Sequence, residues 1–182
     1  MGSGGHNEAN FKAAILGLSV SDDWDEAKAE WQLNFVYVDH SDRACECGHS
    51  PIHQICVIKN SKNSATTEVG NVCVKRFLRL LSGRVFSALK RLQTDIKKSL
   101  NPKSLELFRD RGVITHQEAL DYGKYWLKRT TMTDEQKAQK QDINSRVLRY
   151  FSEESVALIS NAFAAGIKFT PRQQLPPSQP TT

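Results

Sequence analysis

All four cysteines of the chain fall between positions 45 and 73, as Cys45, Cys47, Cys56 and Cys73, and two of its five histidines, His49 and His53, stand among them. Thiolates and imidazole nitrogens are the ligands that hold structural zinc in a tetrahedron, and that bond energy can carry the folding of a small module. The spacing C-x-C-x8-C-x16-C differs from the C-x2-C pairs of a zinc ribbon, so the case rests on ligand chemistry and proximity. Cys45-Glu46-Cys47-Gly48 reads as a tight loop in which Gly48 lets backbone amides approach the thiolates. Cys73 opens a helical stretch, where amide groups and the helix dipole favour a thiolate. Cys45, Cys47, Cys56 and Cys73 are the first choice for one structural Zn2+. His53 in place of Cys56 is the main alternative and His49 a third. Alternation along a strand sends residues 53 and 56 to opposite faces, so those two are not ligands together. Buried thiols without metal are the plain alternative.

A catalytic zinc keeps an open coordination position near a general base, parts that Glu46 and a spare histidine could fill. The accompanying signatures, H-x-E with P-C-x-x-C and H-E-x-x-H, are absent, as are a Gly-rich phosphate loop and a G-x-S-x-G elbow. The expectation is a protein that is not an enzyme.

The second chemical feature begins at the last cysteine. Residues 71–104 carry nine Lys/Arg against one acid, Asp95, whereas residues 1–31 carry six acids against two lysines. Lys75, Arg76, Arg79, Arg84, Lys90, Arg91, Lys97 and Lys98 are the candidate nucleic-acid contacts. Phosphate contacts of this kind supply affinity without sequence choice and weaken steeply with salt. Phe77 and Phe86, the aromatics of that run, fit its apolar stripe, which favours backbone or duplex binding over stacking on single strands. A solvated face of a protein with net charge +5 is the plain alternative. A second functional reading is an adaptor or inhibitor that docks on a partner protein through its later helices.

These residues need elements to hold them. With 182 residues and 39% hydrophobic composition, the chain can bury a real core. No apolar run approaches the roughly 18 residues that cross a bilayer. The N-terminus lacks the basic and apolar regions of a signal peptide, and a reducing cytoplasmic setting follows as the expectation. Phe11, Ala14, Ile15 and Leu18 mark a short helix, and Ser21 reads as the cap of a second that places Trp24, Ala27 and Trp31 on one face as core anchors. Residues 32–38 and 52–59 read as strands, and NSKNS turns the second into a hairpin with ATTEV. Beyond Cys73 the pattern is helical, with a break at Ser82-Gly83, an Asn101-Pro102 start and a Gly112 stop. Thr115-x-x-Glu118 and Thr133-x-x-Gln136 read as capping boxes. The first helix is expected to carry Leu120, Trp126 and Leu127, the second Ile143, Val147 and Phe151, and Ser152 to cap a last helix ending at Gly166. The fold class is α+β: a small zinc-stapled antiparallel sheet in the N-terminal half, then a helical bundle. Residues 1–20 would form an N-terminal helix behind a Gly/Ser-rich start that reads as an expression remnant. Residues 21–80 would form the zinc module, 81–166 a helical region packed on it, and 167–182 a Pro/Gln/Thr-rich disordered tail.

At the cysteines the chain also resembles a known module. The string C-x-C-G-H (45–49), I-x-x-I-x-V-I-x-N (52–60) and V-G-N-V-C-V-K-R-F (69–77) is similar to a small zinc-binding module of phage, prophage and large DNA-virus proteins. Glu30-Trp31 and the strand after them fit that pattern, and M-T-D-E-Q-K (132–137) with I-N-S-R-V-L (143–148) is similar to a segment that follows the module. The resemblance implies zinc at Cys45, Cys47 and Cys73, leaves the remaining ligand open, and carries an expectation of nucleic-acid binding.

Overall fold

The computed structural model describes residues 7–128 and 130–165. The stop at Gly166 and the tail expected to be disordered lie outside the described residues. Helix α1 (Glu8–Gly17) starts at Asn7, whose side chain accepts from the Asn10 amide. It sends Phe11 and Ile15 into the core, with the Phe11 ring 5.1 Å from that of Phe77. Helix α2 (Trp24–Ala29) is capped by Asp23 rather than Ser21, because the Asp23 carboxylate accepts from the Asp25 and Glu26 amides. The helix ends before Trp31, which begins a strand instead of completing a helical face. Trp31 is nevertheless a buried anchor, its indole N–H donating to Ser19 Oγ at 2.9 Å.

Strands β1 (Trp31–Arg43), β2 (Ile52–Asn60) and β3 (Thr66–Gly70) form one antiparallel sheet in the order β1-β2-β3. Val36 lies opposite Cys56 and Cys56 opposite Val69, while Ile55 pairs with both Tyr37 and Gly70. Strand β1 runs past the expected 32–38 because an irregularity between Val38 and Arg43 lets pairing resume at Arg43↔Ile52. Behind this sheet Glu30 is buried as a carboxylate. It accepts from the Val20 and Ser21 amides and the Asn60 side chain and meets Lys62 at 3.2 Å. The Val20 amide contributes most to holding its pKa down at about 2.

Helices α3 (Asn71–Phe77), α4 (Ser82–Thr94), α5 (Pro102–Asp110), α6 (His116–Tyr125) and α7 (Asp134–Ala164) follow. The break falls at residues 78–81, with Arg79 at φ 60°, and Ser82 starts α4, its buried hydroxyl donating to Asn71 Oδ1 at 2.6 Å. The Asn101 cap and both capping boxes form as the sequence suggests. Helix α6 turns Tyr122 and Tyr125 inward and leaves Leu120 exposed, with Leu127 exposed just beyond its end. Tyrosine can take the core face because each hydroxyl finds a partner, Asn144 Oδ1 at 2.8 Å and Gln139 Oε1 at 3.1 Å. Helix α7 does not stop at Ser152. Ile143, Val147 and Phe151 pack it against the core, and the Ser155 hydroxyl folds back onto the Phe151 carbonyl, so the ladder continues through that point. The fold is α+β, a three-stranded antiparallel sheet in the N-terminal half and a mostly helical remainder. Among the described residues no helix is long and apolar enough to cross a membrane.

Candidate metal centre

Three loops and strand ends converge on the cysteines, and each is fixed by its own polar contacts. Arg43, buried at the end of β1, lies between Asp39 and Glu68: Nη1 donates to the Tyr37 hydroxyl at 3.1 Å and meets Asp39 at 3.3 Å, while Nη2 pairs with Glu68. The Tyr37 hydroxyl donates to Glu68 at 2.8 Å, closing the circuit from β1 to β3. Two residues on, the chain turns back on itself. The Cys45 amide donates to the His49 carbonyl at 2.9 Å and the Gly48 amide to the Cys45 carbonyl at 2.8 Å, with Gly48 at φ 83°. That backbone is left-handed, which is why glycine stands there.

The far side comes from β3 and α3. The Gly70 amide donates to Cys45 Sγ at 3.2 Å, and a Cβ at Gly70 would stand 3.3 Å from Ile52 and 3.6 Å from Cys45 Sγ. Cys73 follows within the first turn of α3, its Sγ 3.3 Å from that of Cys47. The sulfur atoms of Cys45, Cys47 and Cys73 all lie within 4.8 Å of one another, all three residues are buried, and no disulfide joins them. This group can hold a metal ion.

Its electrostatics fit a cation. A hydrogen bond from Cys73, then the Cys47 and Gly70 amides, lower the Cys45 thiol from 9.0 to about 5 against the opposing effect of burial. The hydrogen bond to Cys45, then burial, in turn push the Cys73 thiol far up. Helix geometry at Cys73 suggested the thiolate would form there; the hydrogen bond from Cys73, helped by the Cys47 and Gly70 amides, favours it at Cys45 instead. Three close thiols that together carry a negative charge out of water are stabilised by a divalent ion, which lets all of them ionise.

Cys56 stands outside this group. It is fully buried on β2, where burial pushes its thiol up to about 12 against a hydrogen bond with the Ser82 side chain. The histidines are also outside it. His53 is exposed and engages the Asp39 carbonyl through Nδ1 at 3.1 Å, and His49 is half-buried in the Cys45 turn. Glu46 is exposed too and accepts from Thr67 Oγ1 at 3.0 Å.

The eight basic candidates are all exposed: Lys75 and Arg76 on α3, Arg79 in the break, Arg84, Lys90 and Arg91 on α4, and Lys97 and Lys98 in the turn after it. Among the described residues, Lys98 alone of these has a carboxylate within 4 Å, Asp95 at 3.5 Å. Arg91, Lys97 and Lys98 line a cleft against α7, whereas Arg79 lines a second one beside Lys103, Glu106 and Asp110. The first cleft also takes in Trp126 and Lys140, which sequence reasoning passed over because one read as a core residue and the other as one lysine among many. Phe77 is buried and Phe86 nearly so, in keeping with their place on the apolar stripe. No protein-family model, curated protein or solved structure matches this chain.

Proposed function

We propose that this is a zinc-stabilised protein that binds the backbone of nucleic acid and is not an enzyme. The observation that carries the reading is the unmatched charge after Cys73. Elsewhere several surface lysines sit beside acids one helical turn away, as in Lys12–Glu8, Lys28–Asp25, Lys103–Glu106, Lys124–Asp121 and Lys137–Asp134, with Lys59 and Lys128 as exceptions. A merely solvated helix face is expected to look like that. Seven of the eight cations between Lys75 and Lys98 lack such a partner, which suits a surface whose counter-charge arrives with a polyanion.

Zinc is the ion that best suits the cysteine group. Thiolate ligands at a Zn–S distance of about 2.3 Å put tetrahedral neighbours about 3.8 Å apart. The observed 3.3 Å between Cys47 and Cys73 needs only a small opening to reach that spacing. Cys45, Cys47 and Cys73 would hold the ion and tie the first turn of α3, where the basic run starts, to the sheet.

A mobility-shift titration with duplex DNA and with RNA across salt concentrations tests the function. Binding should weaken linearly on a log–log plot, with about 0.9 in slope for each duplex phosphate contacted. Absence of binding to either polymer at low salt would remove the reading. A second reading, docking on a protein partner, is favoured by one observation: Val156 and Phe163, two turns apart on α7, are both largely exposed. Salt-insensitive co-purification of one protein, with no nucleic-acid binding, would select it.

A further inference from the structure

The cleft between the turn at 95–99 and α7 has a volume of about 700 Å³, and six of its lining residues are Lys or Arg against one acid, Asp95. That volume lies in the range of small-molecule sites. Lys140 forms part of its lining from α7 and is only 4% exposed. An ammonium group has three donors, and Lys140 uses one, to the neutral Ser99 hydroxyl at 2.8 Å. Burial lowers its pKa, the Asp95 charge partly offsets this, and the neighbouring Lys98 adds a smaller lowering. Among the described residues no carboxylate comes within 4 Å of this ammonium; a buried cation so placed is costly, and the arrangement makes sense where an anion enters.

The cleft is built rather than incidental. Asn144, one turn beyond Lys140 and fully buried, donates to the carbonyls of Ile96 and Lys98 at 2.7 and 2.8 Å. The Tyr122 hydroxyl donates to Asn144 and accepts from the Leu100 amide at 3.0 Å. This buried polar network clamps the turn bearing Lys97, Lys98 and Ser99 against α7. The lining also includes apolar and aromatic side chains, among them half-buried Trp126 and Met132.

From a lining that combines six cations with an aromatic ring, we infer that this cleft binds a phosphorylated nucleotide unit, the phosphoryl group on Lys140, Lys98 and Arg91 and the base against Trp126. Base–aromatic stacking and phosphate contact together define that ligand class. The unit is either a free nucleotide or the phosphorylated end of a strand. In the second case the inference rests on the nucleic-acid reading above and gives it an end-binding site.

Calorimetric titration of the full chain with adenosine 5′-monophosphate, adenosine, and 5′-phosphoryl and 5′-hydroxyl oligonucleotides tests this. Adenosine monophosphate is expected to bind and adenosine at least tenfold more weakly. A preference for the phosphoryl over the hydroxyl strand assigns the strand end; equal strand affinities beside nucleotide binding assign the free nucleotide. Lys140→Met, with native circular dichroism, should lower nucleotide affinity at least tenfold, and exposed Lys98→Ala should lower it severalfold if the Met variant does not fold. Arg76→Glu with Arg84→Glu should leave nucleotide binding intact while abolishing duplex binding. Failure of both phosphorylated probes to bind, or affinity unchanged in a folded Lys140→Met or in Lys98→Ala, overturns the inference. Nucleotide binding without duplex binding would instead overturn the backbone reading alone.

Discussion

Arg43 and Lys140 are both almost wholly buried cations, and the protein treats them in opposite ways. Arg43 is enclosed by Asp39, Glu68 and the Tyr37 hydroxyl, so that its charge is answered from within the sheet. Lys140 has one neutral partner and opens onto a cleft lined with further cations. Matched burial of this kind organises a fold and leaves nothing for a ligand. Unmatched burial costs stability and creates affinity for an anion. The two regions therefore differ in what a mutation should damage: the sheet side should lose structure, the cleft side should lose binding.

The largest effect should come at the cysteine group, where the proposed ion would hold the sheet side together. Cys73→Ser is expected to lose the metal and unfold residues 45–75, since structural zinc contributes on the order of 10 kcal/mol to small modules. Elemental analysis and hydrogen exchange would read it, and Cys56→Ala, whose thiol lies outside the group, should keep about one equivalent of zinc and cost about 1–2 kcal/mol. Loss of metal in that control would bring Cys56 into the ligand set.

Next in size is Arg43→Met, which strands Asp39 and Glu68 and should cost about 3–5 kcal/mol in urea unfolding. Lys140→Met is its counterpart in the cleft. Removing a buried charge that has no anion should be neutral or mildly stabilising, and a loss as large as that of Arg43→Met would erase the contrast between the two regions.

Acid should find the sheet side through Glu30. Its folded pKa of about 2 lies below the ordinary 4.5, so its contribution is fully present above pH 4.5 and is lost as pH falls through about 2. Urea midpoints measured across that window should decline in the wild type and flatten in Glu30→Gln. The smallest change in stability belongs to Arg76→Glu, Arg79→Glu and Arg84→Glu combined. Each is exposed and has no acid within ion-pair distance, so each should move stability by no more than about 0.5 kcal/mol while polyanion binding disappears.

Much of the fold was legible because its signals are local. The capping boxes at Thr115 and Thr133, the Asn101-Pro102 start and the hairpin turn after Asn60 each involve partners three or four residues apart. The sequence misled where a local signal met a stronger distant one. Ser152 resembles a cap, yet the packing of Phe151 and Val147 carries α7 through it. Trp31 continues a helical stripe, yet pairing with Asn60 takes it into β1. Ser82-Gly83 resembles a break, yet the buried bond from Ser82 to Asn71 makes it a beginning.

The cysteine region shows the same division. Residue types alone determined that a thiolate group and a basic run lie side by side near Cys73, because ligand chemistry and charge are properties of the side chains themselves. Which sulfur atoms meet was decided only by the fold, through sheet register and the Cys45 turn. These gather Cys45, Cys47 and Cys73 and place Cys56 in the sheet interior opposite Val36 and Val69. The cleft was beyond the sequence altogether. It is made when Asn144 and Tyr122 draw a turn from the middle of the chain onto α7, and a contact across such a separation leaves no mark in the spacing of neighbouring residues.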